Sequence, residues 1–566
     1  MASLQAFGSG RLAAERASRR SMARAPCALP GKAVAHGAAA GLVRRQQQQP
    51  LQQQARQQQQ QQQRPRHARA VAPLAAAAVS SPGVEAKRPR LDQAPGVDQE
   101  LLRAATPAGQ AAREGLLKGA VVLFVCAGYS KKRFIYEKAR ALGVTAILVD
   151  SPNHWGRDAV GSAFDGFHPV DLSKDTDAVL DDISDIYRRV TEEHGAVHGI
   201  VSFSDLAQPL VARLCERLGY PANSVAAVAT ARNKDLTRHA LAEAGLPTPG
   251  HAMVRGPEDL KPAAAAVGFP SVLKPVGGSE SIGVVRVDSV EDMMGRYSEL
   301  QAILRATAYK DGNLSTFDDE SDAEGNANAA LEFFTDLMLE EYMDGAEVDC
   351  DIVLSDGKVM YANVVDNGPT HEPWFQETNT NSPSLLTQQQ QAELIECATQ
   401  SLAAMGLVHG VQHTELKYTS RGARLLEVNP RMGGRGVHTI NKLSTGVCMI
   451  TEQLLASCGL PCAPPRPAAP LACIAEYGIV APRSGVLADH SFVEKWASHP
   501  DVVYCRALAD VGAKLTGLTD GFPSWIADVM VRKATPEEAV AFVKSVHDDI
   551  NACVKITPLP GARSEE

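Results

Sequence analysis

The stretch LLEVNPRMGGRG, residues 425–436, begins like a buried strand and ends on bare backbone. Glu427, Asn429 and Arg431 occupy every second position within it. Side chains two apart on a strand share a face. An acid, an amide and a cation therefore point one way, while Leu426 and Val428 are expected to point into a core. Just upstream, HTELKY carries Glu415, and the short turn TSRGA (419–423) joins the two segments. If that turn pairs them as antiparallel strands, Glu415 falls roughly opposite Glu427. Two carboxylates brought together repel unless a cation lies between them. Hard oxygen donors in this arrangement suit a divalent ion, Mg²⁺ above all and Mn²⁺ next, with substrate phosphates completing the shell. Arg431 then lies just past the metal, placed to clamp a phosphoryl oxygen in a bidentate way. A merely polar surface strand would leave the glycines after Arg431 unexplained.

The preceding segments point the same way. FPSVLKPVGGSESIGVVRV (269–287) reads as a hairpin, one strand ending at Lys274 and the other starting near Gly283. Its loop carries Gly277, Gly278, Ser279, Ser281 and Gly283. Such a loop exposes backbone N–H groups able to cover phosphates, and Lys274 and Lys234 add point charges. LMLEEYMDGAEVDCDIVLSDGKVMYANVVD (337–366) reads as a strand, a connector and a hairpin turning at Ser355-Asp356-Gly357. The connector suits a hinge between lobes, where backbone groups near Glu341 and Met343 could read an adenine edge and Glu347 could accept from ribose hydroxyls. QQQQAELIECATQSLAAMG (388–406) is an amphipathic helix, and TARNKDLTRHALAEAGLPTPG (230–250) reads as one helix closed by Gly245. His409 and His413 are four apart, but the segment reads as strand and lacks the acid of a zinc helix.

Order is expected from about residue 100. GAVVLFVCAGYS (119–130), a following amphipathic helix and VTAILVD (144–150) form a βαβ unit, and GIVSFSD (199–205) resembles another strand of the same sheet. With one glycine where GxGxxG is needed, the unit reads as a scaffold rather than a dinucleotide site. The chain has 566 residues and a formal net charge of −9, which argues against a general nucleic-acid binder. Its eleven cysteines form no CxxC pair and read as reduced thiols. No apolar run is long enough for a membrane span. Residues 1–84 differ: twelve Lys and Arg against one acid, Glu15, with a glutamine-rich run at 46–63. This composition is that of a disordered segment, and it fits an organelle transit peptide, chloroplast ahead of mitochondrion. A cytoplasmic protein with an unselected extension is the alternative.

Asn233-Lys234, Lys274-Pro275 with GGSESIG, LEEYMDGAEVD, Glu415 and EVNPRMGG, in that order, resemble the ATP-grasp superfamily over roughly residues 230–450. HTE with EVNPRMGGRGVHTINKLSTGV looks most like its amino-acid ligases that make dipeptides, carnosine-forming enzymes among them. The resemblance implies a multidomain α/β and α+β fold: a Rossmann-like pre-ATP-grasp domain (119–230) after a linker and first helix (85–118), a two-lobed ATP-grasp domain (231–460), and a C-terminal α+β lid domain (461–566). The glycine-loop lobe would span about 250–343, with an acidic insertion at 311–328. It implies ATP-dependent ligation of a carboxylate to an amine, both small molecules, through an acyl phosphate, with no nucleic acid or membrane partner and a homodimer allowed. Carried over by position, Lys234, Lys274, Ser279, Ser281, Gly283, Glu341, Met343 and Glu347 would bind ATP. Glu415, Glu427 and Asn429 would hold Mg²⁺, Lys274 and Arg431 would be catalytic, and Gly433, Gly434, Arg435, His438 and Trp374 would meet substrate. His371 and Glu377, in the same loop as Trp374, are further specificity candidates. The alternatives are another ATP-grasp ligase, such as a purine-pathway enzyme forming formyl phosphate or carboxyphosphate, and an ATP-binding protein without turnover.

Overall fold

The computed structural model describes residues 98–278, 281–311, 336–521 and 523–559. The basic, glutamine-rich start, Ser279 and, except for Asp311, the acidic insertion at 311–328 lie outside the described residues.

The first sheet contains β1 (Val121–Val125), β2 (Thr145–Asp150), β3 (Gly166–Pro169) and β4 (Gly199–Val201), in the order β3-β2-β1-β4. All its pairings are parallel. A parallel sheet is covered on both faces, which is why β1 is an unbroken apolar run. Val122 and Phe124 pack with Tyr136 on one side, and Leu123 and Val125 pack with Ile183 and Val190 on the other.

The segment read as one helix over 230–250 contains a helix break. Val225–Arg232 ends at Asn233, whose side chain accepts from the Leu236 N–H at 3.1 Å and starts the helix Lys234–Glu243. Asparagine is a strong N-cap. The break makes Lys234 the first helical residue, and its N–H donates to the Val276 carbonyl at the base of the glycine loop, 2.8 Å.

The glycine-loop lobe is a four-stranded antiparallel sheet: β5 (His251–Val254), β6 (Ser271–Pro275), β7 (Val285–Val287) and β8 (Leu337–Glu341), ordered β5-β8-β6-β7. The β6–β7 hairpin is the one expected. Leu273, Val285, Leu339 and Leu304 form its core, together with Trp374.

The second lobe is built on β9 (Ala346–Ser355), β10 (Lys358–Asn367), β11 (Asn379–Ser382), β12 (Gly410–Thr419) and β13 (Gly422–Asn429). The β9–β10 turn places Asp356 and Gly357 at φ 49° and 74°, as the Asp-Gly pair dictates. The C-terminal region adds β14 (Cys473–Val480), β15 (Gly485–Leu487), β16 (Val502–Ala507), β17 (Lys514–Leu515), β18 (Trp525–Lys533) and β19 (Ile556–Thr557). Three of these, β15, β17 and β19, make a small separate sheet. The others do not stand apart as a lid: one eight-stranded sheet runs β13-β12-β9-β10-β11-β14-β18-β16. The junction is β11, whose NTNS pairs with β10 on one side and with β14 on the other. Those four polar residues carry no strand signature, so the continuity was not readable from sequence.

Candidate active site

Glu415 and Glu427 are direct partners across β12 and β13. One detail differs from simple alternation. Leu416 pairs with Leu425, so a bulge leaves Leu426 without a counterpart. Leu425 and Val428, not Leu426, are fully buried. The bulged Leu426 turns its carbonyl to accept from Arg238 Nη2 at 2.6 Å.

Cations surround this pair unevenly. Lys234 Nζ lies 2.8 Å from Glu427 Oε2. Arg431 donates from Nε to Asp205 Oδ1 at 3.2 Å and from Nη2 to Asn429 Oδ1 at 3.3 Å. Asp205, reached from the first domain, also accepts from Arg232. Burial alone would raise the Asp205 carboxyl, but Arg232 and Arg431 outweigh it and hold it low. Glu415 has no such counterweight. Its nearest cation is His413, whose Nε2 is 3.9 Å away while Nδ1 is engaged at 2.8 Å by Asp351. Burial, and then the facing Glu427, drive the Glu415 carboxyl well above the usual range. Two facing carboxylates, one uncompensated, beside an amide oxygen are a fitting donor set for a hard divalent cation.

Lys274 is buried on β6 and donates to Glu340 Oε1 at 2.5 Å; Arg238 Nε donates to Glu340 Oε2 at 2.6 Å. Burial lowers the Lys274 ammonium, an effect Glu340 partly offsets. Neither Glu340 nor Arg238 nor Asp205 stood out in the sequence. The one available signal was an acid at an inward position of the apolar strand LMLEE.

Other expected residues divide. Ser281 (φ 56°) and Gly283 (φ 77°) bend the glycine loop, and a Cβ on Gly283 would come within 2.8 Å of Leu304. Glu347 faces Lys417 at 3.6 Å, and burial raises its carboxyl. Met343 is buried at the hinge. The Glu341 side chain accepts from Arg421 Nη2 at 2.7 Å and its N–H donates to the Gly250 carbonyl at 2.8 Å, so neither is open to a ligand. Gly434 is open, with nothing within 4 Å of a built Cβ. Gly433 is not: a Cβ there would stand 2.7 Å from His413 Nδ1, so its bareness admits the histidine rather than a substrate.

Trp374 is a correction. It is buried in the glycine-loop lobe's core, with the Arg296 guanidinium 5.2 Å over its ring. His438 is another: it stacks on Phe134 of the first domain at 6.0 Å, and burial lowers its imidazole to about 4. Its neighbouring charges are Lys442 and Lys138, not the carboxylate cluster. Arg435 lies among acids, Glu476 and Glu377. Its Nη1 donates to Glu377 Oε2 at 2.7 Å and its guanidinium lies 4.5 Å over the Trp525 ring. Its Nε and Nη2 are buried without a hydrogen-bond partner. His409 and His413 do not converge: His409 faces Asp356 at 3.5 Å.

Comparison with known proteins agrees with this geometry. Residues 136–222 match the ATP-grasp N-terminal domain and residues 267–439 match the ATP-grasp domain. The chain thus carries the paired domains of the ATP-grasp fold. It is similar to carnosine synthase 1 of Homo sapiens, 32% identical over 365 residues, 62% of this chain and 42% of that protein. The same enzyme of Gallus gallus is 34% identical over 387 residues, 66% of this chain and 39% of that protein. The chain therefore spans about two fifths of the length of the carnosine synthases it matches. Alanine–anticapsin ligase of Bacillus subtilis is 26% identical over 252 residues, 42% of this chain and 49% of that protein. Among solved structures, the L-amino acid ligase from Bacillus licheniformis superposes with a TM-score of 0.64 at 23% identity, covering 78% of this chain and 99% of that one. Among the described residues no helix is long and apolar enough to cross a membrane.

Proposed function

We propose that the protein joins a carboxylate, an amino acid, to an amine at the expense of ATP, releasing ADP and phosphate. The observation that carries this is the facing Glu415–Glu427 pair, with Lys234 at one carboxylate and Arg431 just beyond. The similarity to carnosine synthase and to alanine–anticapsin ligase supports amino acids as the substrate class.

In this reading Lys234 and Lys274 meet ATP phosphates, and the loop that includes Ser279, Ser281 and Gly283 covers them with backbone N–H groups. The backbone at Met343 receives the adenine edge, and Glu347 receives the ribose. Glu415, Glu427 and Asn429 hold Mg²⁺, which when bound neutralises phosphate oxygens. The acid's carboxylate oxygen attacks the terminal phosphorus and ADP leaves. Arg431 stabilises charge on the transferring phosphoryl group. The amine then attacks the acyl carbon, and the carbon–oxygen bond to phosphate breaks. Arg435 is assigned to a substrate carboxylate, beside which Gly434 leaves room. The chemistry is positioning and electrostatics. The basic residues 1–84 support delivery to a chloroplast; a fluorescent fusion of that segment remaining cytosolic would reject this. A homodimer is consistent with the reading and is read by light scattering.

The decisive experiment supplies ATP, Mg²⁺ and pairs of amino acids and follows ADP and new amide products by mass spectrometry. ADP release with an amino-acid pair is the expected result. Release only with formate or bicarbonate would place the protein among ligases of the smallest acids. No release with any acid–amine pair would leave a nucleotide-binding protein without turnover.

A further inference from the structure

Away from the carboxylate pair, Asp235, His239 and His251 bring one ligand atom each to within 4.8 Å of one another. Asp235 and His239 are four apart on the helix Lys234–Glu243, so they share a face. His251 opens β5, the edge strand of the glycine-loop lobe. His239 Nε2 is 3.7 Å from Asp235 Oδ2, and His251 Nε2 is 3.5 Å from Asp235 Oδ1. Ligand atoms about 2 Å from one tetrahedral ion stand roughly 3.3 Å apart, so the three are near bonding geometry with little movement.

A second observation concerns the His251 ring. Its Nε2 turns to Asp235, and with its side chain only 15% exposed the ring is held by its surroundings rather than free to swing. The two rings lie close together, 77° apart with centroids at 5.3 Å. His239 is well exposed and leaves a side open for water. Two imidazoles and one carboxylate with a free position suit Zn²⁺ rather than Mg²⁺. No cysteine belongs to the group.

We propose that Asp235, His239 and His251 form a zinc site distinct from the ATP site, which pins the helix beginning at Lys234 to the edge strand of the glycine-loop lobe. The place gives it meaning. The residue before β5, Gly250, accepts from the Glu341 N–H at 2.8 Å at the hinge, and the helix's first residue contacts Glu427. An ion here would tie the approach to the hinge onto the helix that presents Lys234.

The test titrates metal-free full-length protein with Zn²⁺ against a chromophoric chelator, for wild type and for His239→Ala and His251→Ala. One equivalent should bind wild type, with affinity falling at least about a hundredfold in each variant, at or beyond the upper end of the roughly 10–100-fold that removing an outer-shell partner costs. X-ray absorption of the zinc form should report nitrogen and oxygen neighbours without sulfur, and Zn²⁺ should raise the melting temperature of wild type alone. His239 is exposed, so its variant folds. Equal binding in His239→Ala, sulfur in the shell, or no binding to wild type overturns the proposal. None of these readouts depends on ligase activity.

Discussion

Two acids on strands of different sheets meet opposite fates. Glu340, on β8, is enclosed and yet fully ionised. Burial alone would raise it, but Arg238 and Lys274 outweigh burial and hold it at about 2. Glu415, on β12, is half-buried, its side chain 29% exposed, and left wanting. Its facing neighbour is another carboxylate, and the lysine that could help is spent on Glu427. The protein neutralises the first acid by itself and leaves the second for something that arrives. A buried acid with internal cations is read as structure, and one without them is read as a site.

The largest test of that contrast is Glu427→Gln. It removes one of the facing carboxylates, and ADP formation should fall on the order of 10³-fold while the melting temperature stays near wild type. Unimpaired turnover would reject the metal assignment. Next is Glu340→Gln, which strands Arg238 and Lys274 as buried like charges. Urea unfolding should show a loss of roughly 3 kcal/mol or more; a neutral result would mean the two cations find other partners. Lys274→Ala should raise the Michaelis constant for ATP about tenfold, equivalent to about 1.4 kcal/mol of binding, with a smaller change in kcat. A pH series sharpens the Glu340 half. Its folded value is depressed from 4.5 to about 2. Its stabilisation is therefore fully present above 4.5 and is lost as pH falls toward 2. Melting of wild type should decline more steeply across that window than melting of Glu340→Gln. Smallest is Trp374→Phe, which should cost about 1 kcal/mol of stability and leave substrate preference unchanged. A shifted preference would return Trp374 to the substrate site.

Much of this was legible locally. Alternation along HTELKY and LLEVNPR, with a short turn between, was enough to oppose Glu415 to Glu427, because a two-strand register depends on a few neighbouring residues. The βαβ opening, the β6–β7 hairpin and the Asp356-Gly357 turn were readable for the same reason. What escaped depended on distant partners. The bulge that exchanges Leu426 for Leu425 answers to Arg238, nearly two hundred residues upstream. Trp374 and His438 were assigned to substrate because they flank the motifs, but the apolar surfaces that claim them belong to the glycine-loop lobe and to the first domain. The cap at Asn233 is a strong local signal for a break, and the apolar periodicity running through it reads as one long helix.

The junction at β11 bears on anyone who would trim the gene. Its four residues are bonded along both margins, to β10 and to β14. Cutting after residue 460 would strip one margin and leave a row of amide and carbonyl groups facing water beside an apolar face. Such a border recruits strands from other chains, so the shortened product should precipitate rather than behave as a smaller catalyst.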